Sequence, residues 1–130
     1  MRVLQPAGWA RPRGYANGIE AQGRLVFVAG QIGWDRDQRF VAKDFAGQFE
    51  QALNNILAVL REAGAGPEHV VRMTWFITDK RSYIAASKEV GEIYRRTMGR
   101  NFPAMSVVQV TALIEDEALV EIEATAVLPA

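Results

Sequence analysis

Val120-Glu121-Ile122-Glu123-Ala124-Thr125-Ala126-Val127 is the stretch whose reading decides the fold. Apolar residues take every second place, and a strand sends alternate side chains to opposite faces. Val120, Ile122, Ala124 and Ala126 therefore form an apolar face that needs a covering layer, while Glu121, Glu123 and Thr125 point the other way. The same parity sorts two further runs. In 70–78, Val71, Met73, Trp75 and Ile77 oppose Arg72, Thr74 and Phe76. In 105–113, Ser106, Val108, Val110 and Ala112 go to the apolar set, and Met105, Val107, Gln109 and Thr111 to the mixed one. One sheet face thus suits the underside of helices, and the other combines charge with large apolar groups.

Working outward, Phe45, Phe49, Leu53, Ile56, Leu57 and Leu60 recur at steps of three and four, which makes one apolar helical stripe. Asp44 is its candidate N-cap, and Gly64, Gly66 and Pro67 end it. A second helix opens at Asp79 or Ser82, carries Tyr83, Ser87, Val90 and Tyr94 on one face, and stops at Gly99. Upstream, 18–20 and 24–30 flank the turn Gln22-Gly23 and read as a hairpin. Downstream, Glu115-Asp116-Glu117 reads as the turn joining the last two strands. The order β-β-α-β-α-β-β predicts an α+β domain with both helices on one sheet face.

The 130 residues fit a single domain spanning 1–130. A chain of this length buries roughly two-thirds of the surface exposed when unfolded, so it folds without staples. Fifteen Lys and Arg balance fifteen Asp and Glu. Nucleic-acid binding leaves a basic footprint, because cations must displace phosphate counterions, and none is visible here. Near-neutrality instead favours self-association. The absence of cysteine excludes disulfides and a thiol nucleophile, and a single histidine excludes a multi-histidine metal site. That residue, His69, lies in the turn Gly66-Pro67-Glu68-His69 and reads as a cap-like loop residue. No signal-peptide or membrane-spanning pattern is present, so the expected location is cytoplasmic, with no membrane partner.

The mixed face has two readings. It is either the solvated side of a two-layer domain, or a surface covered by other subunits with Phe76, Met105 and Val107 as interface core. Burying each such side chain contributes about 1.5–3 kcal/mol, which favours the second. Glu121 and Glu123 stand about 6.5–7 Å apart at Cα on a regular strand. Paired carboxylates serve general acid/base chemistry or ion pairs, and spacing does not separate the two.

Four segments, taken together, resemble the RidA/YjgF family of enamine/imine deaminases over essentially the whole chain: Gly14-Tyr15, Val28-Ala29-Gly30-Gln31-Ile32, Asn101-Phe102-Pro103-Ala104-Met105-Ser106 and Val120-Glu121-Ile122-Glu123-Ala124. The resemblance implies a chorismate-mutase-like α+β fold, a six-stranded mixed sheet with two helices on one face. It also implies a homotrimer with a site in each cleft between subunits. Members hydrolyse reactive enamines and imines, such as 2-aminoacrylate, without a cofactor or metal, and similar proteins have also been described as ribonucleases. Position by position, Glu121 falls on the family's water-positioning glutamate and becomes the candidate catalytic group. Tyr15, Ala29, Gly30, Met105 and Val107 fall on substrate-binding positions, and Glu123 becomes a structural partner of Arg72.

The chain departs from the family pattern at Met105. Members active on amino-acid-derived imines read Pro-Ala-Arg-Ser there, with the arginine clamping the substrate carboxylate, and this chain reads Pro-Ala-Met-Ser. It therefore resembles the subgroup that lacks the clamp arginine. A thioether supplies neither donor nor charge. Val107 stands where a cysteine is frequent, and Ala29 where a serine is. Three readings follow. The chain is a deaminase that does not use small 2-imino acids; or a trimeric small-ligand-binding or interaction protein that keeps the cleft without the chemistry; or a deaminase of an aminomuconate-type ring-cleavage product, held by apolar contacts including Trp34. Arg13 and Arg100 read first as ordinary surface residues, and as the alternative either one supplies the missing cation from a loop.

Overall fold

A computed structural model describes residues 1–130. In chain order it comprises β1 (Arg2–Leu4), β2 (Gly18–Glu20), β3 (Arg24–Ile32), α1 (Phe45–Glu62), a 3-10 turn (Pro67–His69), β4 (Val70–Ile77), α2 (Lys80–Ala85), α3 (Ser87–Met98), β5 (Ala104–Gln109) and β6 (Val120–Leu128). The main sheet has four strands in the order β3-β6-β4-β5, and β1 pairs with β2 in a separate ribbon. Six strands thus form two sheets, not one. The expected hairpin across Gln22-Gly23 is absent, because β2 pairs antiparallel with β1 and β3 pairs antiparallel with β6.

The alternation in β6 holds along its length. Val120, Ile122, Ala124 and Ala126 are buried, and their strand is central, flanked by β3 and β4. Helices α1 and α3 cover that face, with Phe49, Leu53, Ile56 and Leu60 from α1 and Val90, Ile93, Tyr94 and Met98 from α3 in one core cluster. The stripe on α1 is the one its spacing predicts. Asp44 occupies the N-cap position without a side-chain cap bond, and Gly64 stops the helix at φ +73°. The expected second helix is two, α2 and α3, separated at Ala86. Asp79 caps α2 by accepting from the Arg81 amide at 2.9 Å. His69 is cap-like as expected, its Nδ1 accepting from the Gly66 amide at 2.9 Å.

Strand β5 overturns two expectations. It does not lie beside β6; β4 stands between them, and β5 runs parallel to β4 at the sheet edge. A strand–helix–strand connection is what parallel neighbours require. Its faces are also opposite to the parity assignment. Met73 pairs with Met105 and Trp75 with Val107, so Met105 and Val107 lie on the helix face and pack against the core. Ser106 and Val108 lie on the open face instead, with Val108 in the row of Phe76 and Glu121. Valine at both parities had left this strand with no reliable polar side. In β4 a register shift lets Val70 rather than Val71 fill the core.

Candidate functional site

The open sheet face carries the first cluster. Between Val28 and Gln31 the pairing of β3 with β6 shifts, so Ala29 and Gly30 form a bulge. Such irregularities bend a strand and re-aim side chains, and they recur beside functional groups. Glu121 folds over this bulge. A Cβ placed on Gly30 would stand 2.6 Å from Glu121 Oε2 and 2.7 Å from its Cδ, so only glycine admits the carboxylate there. Glu121 is half-buried and forms no ion pair. Glu123 and Arg72 border a shallow cleft with Phe27 and Ala29, but they do not meet in the expected ion pair.

The second cluster is a cleft of 560 Å³ beside β5, on the helix side of the sheet. Tyr15, Met105 and Val107 line it, together with Trp75, Tyr83, Tyr94 and Phe102. Tyr15 is held there because the chain at Ala16 bridges Ala104, with the Ala16 amide donating to the Pro103 carbonyl at 3.0 Å. The aromatic rings form a continuous set. Tyr94 stacks on Phe102 at 5.6 Å, and Trp75 lies 6.0 Å from Tyr94 and 6.4 Å from Tyr83. Burial pushes the phenols of Tyr83 and Tyr94 up from their ordinary range, so both are neutral donors at ordinary pH. The Tyr94 hydroxyl donates to the Asn101 carbonyl, and the buried Trp75 Nε1 has no protein acceptor. Arg13 and Arg95 complete the lining, which contains no acidic residue.

The six predicted residues therefore divide into two groups. Ala29, Gly30 and Glu121 come together on the open face, and Tyr15, Met105 and Val107 on the helix face. Glu121 does not sit beside Met105 and Val107, since the sheet separates them. Of the two arginines considered as an alternative cation, Arg13 lines this cleft, while Arg100 lines an adjoining one with Trp9 and Met1. Trp34 is elsewhere, packed on Phe40 at 5.8 Å. Arg95 and the aromatic wall from α2 and α3 had no sequence signal beyond helical spacing. No three histidine or carboxylate side chains converge as metal ligands would.

Two side-chain amides, the buried one of Gln48 and the half-buried one of Asn101, hold both groups in place. Gln48 of α1 donates to the Glu117 carbonyl at 2.9 Å and accepts from the Leu119 amide at 2.8 Å, fixing the chain two residues before Glu121. Asn101 donates to the Pro67 and Val70 carbonyls, fixing the entry to β5. Neither role is visible in periodicity, because each bond joins segments remote in sequence.

The fold and this pair of clusters define a RidA-type α+β domain, and the chain belongs to the RidA/YjgF family. The model of that family described as Endoribonuclease L-PSP matches residues 9–128. Among curated relatives, the RutC family protein UK114 of Drosophila melanogaster is 36% identical over 96% of this chain and 88% of its own. The human 2-iminobutanoate/2-iminopropanoate deaminase is 34% identical over 80% of this chain and 73% of its own. Among solved structures, the Rid-family protein YyfB of Yersinia pestis, of unknown function, superposes with a TM-score of 0.86 at 35% identity, covering 98% of each chain. No helix of this chain is long and apolar enough to cross a membrane.

Proposed function

We propose that this protein is a cofactor-independent enamine/imine deaminase of the cytoplasm whose site is completed between copies of a homotrimer. The observation that carries the reading is the unpaired Glu121 carboxylate laid over Gly30 in the β3 bulge. The human deaminase relative supports the reaction class. The division of the site supports assembly, and the trimer is the form the family resemblance implies. One protomer presents Glu121 and the cleft at Met105 on opposite faces of its sheet, so Glu121 of one copy completes the cleft of the next.

An enamine is first protonated at carbon, giving an iminium ion. Water adds to the iminium carbon, Glu121 takes one proton from that water and passes it to the nitrogen, which leaves as ammonia while the hydroxyl gives up its proton to solvent, offsetting the one taken up at carbon. The remaining oxygen becomes the carbonyl of the keto product. Tyr15 orients the substrate or the water through its hydroxyl. The decisive experiment is Glu121→Gln in purified protein, with imines generated in situ by an amino-acid oxidase. Ammonia release should fall by about 100-fold or more, as for loss of a positioned acid/base group. Release equal to wild type would sink the reading.

Met105 favours a second reading, a trimer that binds a small ligand without turning it over. Met105→Arg separates the two. If only the variant accelerates hydrolysis of 2-aminoacrylate, the wild-type cleft serves a substrate other than small 2-imino acids, a ring-cleavage enamine among them. If neither protein accelerates hydrolysis of any imine, the binding reading stands.

A further inference from the structure

We infer that the cleft at Met105 takes an anionic ligand with an aromatic or long apolar body, gripping the anion at its rim through Arg13 and Arg95. The inference rests on the reading above only in taking this cleft as the ligand site. Three observations carry it. First, the cleft's 560 Å³ lies within the span of about 300–1,000 Å³ typical of sites for drug-sized ligands, larger than a three-carbon acid needs. Second, its wall is Trp75, Tyr83, Tyr94, Phe102, Met105 and Val107, and a thioether against aromatic faces favours another apolar or aromatic group in contact. Third, its only charged lining residues are the two arginines, both exposed and in no ion pair or side-chain hydrogen bond.

These positions set the ligand's shape. With methionine at 105, no cation projects from β5 into the depth of the cleft, so a carboxylate placed there would lose water without a partner. Guanidinium groups at the rim offer planar paired donors where the carboxylate also stays partly hydrated. The body of the ligand then runs from the exposed Phe102 past Tyr83 toward the buried Trp75 and Tyr94. A pyruvate-sized acid held at the rim would leave that apolar interior unfilled. Aromatic 2-imino acids satisfy both ends.

The probe is phenylpyruvate, the stable keto counterpart of such an imine, titrated calorimetrically beside pyruvate and the uncharged ketone phenylacetone. Phenylpyruvate should bind at least about tenfold more tightly than either, since a charge-assisted contact and a buried ring each contribute on that scale. Arg13→Gln with Arg95→Gln should weaken phenylpyruvate by about tenfold or more and leave phenylacetone unchanged. Equal affinities for phenylpyruvate and pyruvate, or no binding of phenylpyruvate, would overturn the inference. So would a double variant that keeps wild-type affinity. A double variant that weakens both aromatic ketones alike while losing oligomer mass would also overturn it, by making the arginines structural. Binding of these ketones involves no turnover, so the outcome is independent of Glu121→Gln. A loss of ammonia release with no phenylpyruvate selectivity removes this inference alone, and the converse result removes the deaminase reading alone.

Discussion

Gly30 and Glu121 touch so closely that a single methyl group separates a working arrangement from a displaced one. In Gly30→Ala the new Cβ would meet Glu121 Oε2 at 2.6 Å, so the carboxylate must swing away. A displacement near 1 Å at a reacting group costs about 100-fold in rate, and that drop in kcat is expected without a matching loss of melting temperature. Gln48 anchors the backbone two residues before Glu121. Gln48→Leu leaves the Leu119 amide and the Glu117 carbonyl without their side-chain partner, and urea unfolding should register a loss of about 1–3 kcal/mol. Asp79 gives a pH signature. The Arg81 amide, then the Ser82 hydroxyl, hold its carboxyl below the ordinary aspartate value. A depressed folded value means that the stabilisation is present above the unfolded value near about 4 and is lost as pH falls through the folded one. Thermal melts of wild type should therefore lose this component in acid, and melts of Asp79→Asn should lack it throughout.

The elements were legible in the sequence where one face had a single chemistry. The stripe on α1 and the alternation in β6 were both of that kind, and each buries the residues its spacing names, apart from Leu57, which is half-buried. β5 was not. Its valines at 107 and 108 sit at opposite parities, so hydrophobicity alone could not say which one faces the helices. The register with β4 decides it, and that register depends on remote contacts at Ala16 and Asn101. The motif match located Glu121, Gly30 and Met105, yet it could not reveal that they lie on two faces of one sheet. The orientation of β5 can be checked directly. Val107→Asp should lower stability by about 1.5–3 kcal/mol in urea unfolding, because that side chain packs on the core. Val108→Asp should instead reduce the mass of the assembly measured by sedimentation.

For the whole molecule, the open sheet face is the feature a lone chain leaves unresolved energetically. Phe27 is 73% exposed and Leu25 60%, and both share that face with Phe76, Val108 and Glu121. Each large side chain withdrawn from water contributes about 1.5–3 kcal/mol, which is ample reason for copies of the chain to meet there. β3 supplies Phe27 and Leu25, and its unbroken apolar run gave no parity by which to foresee them. Sedimentation should give three times the 14.4 kDa chain mass, and Phe27→Glu should lower it and abolish ammonia release with it.

The placement of Glu121 and Met105 on opposite faces of one sheet also has a genetic consequence. In the proposed homotrimer every copy would serve two clefts, giving its carboxylate to one and its aromatic wall to the other. A subunit carrying both Glu121→Gln and Tyr15→Ala would spoil each of the two clefts it borders, including the sound halves its neighbours contribute. Co-expressed with the normal chain, it should depress activity beyond its share of the protein. Two singly altered chains, one defective at Glu121 and the other at Tyr15, should by contrast restore activity to each other when mixed within one assembly.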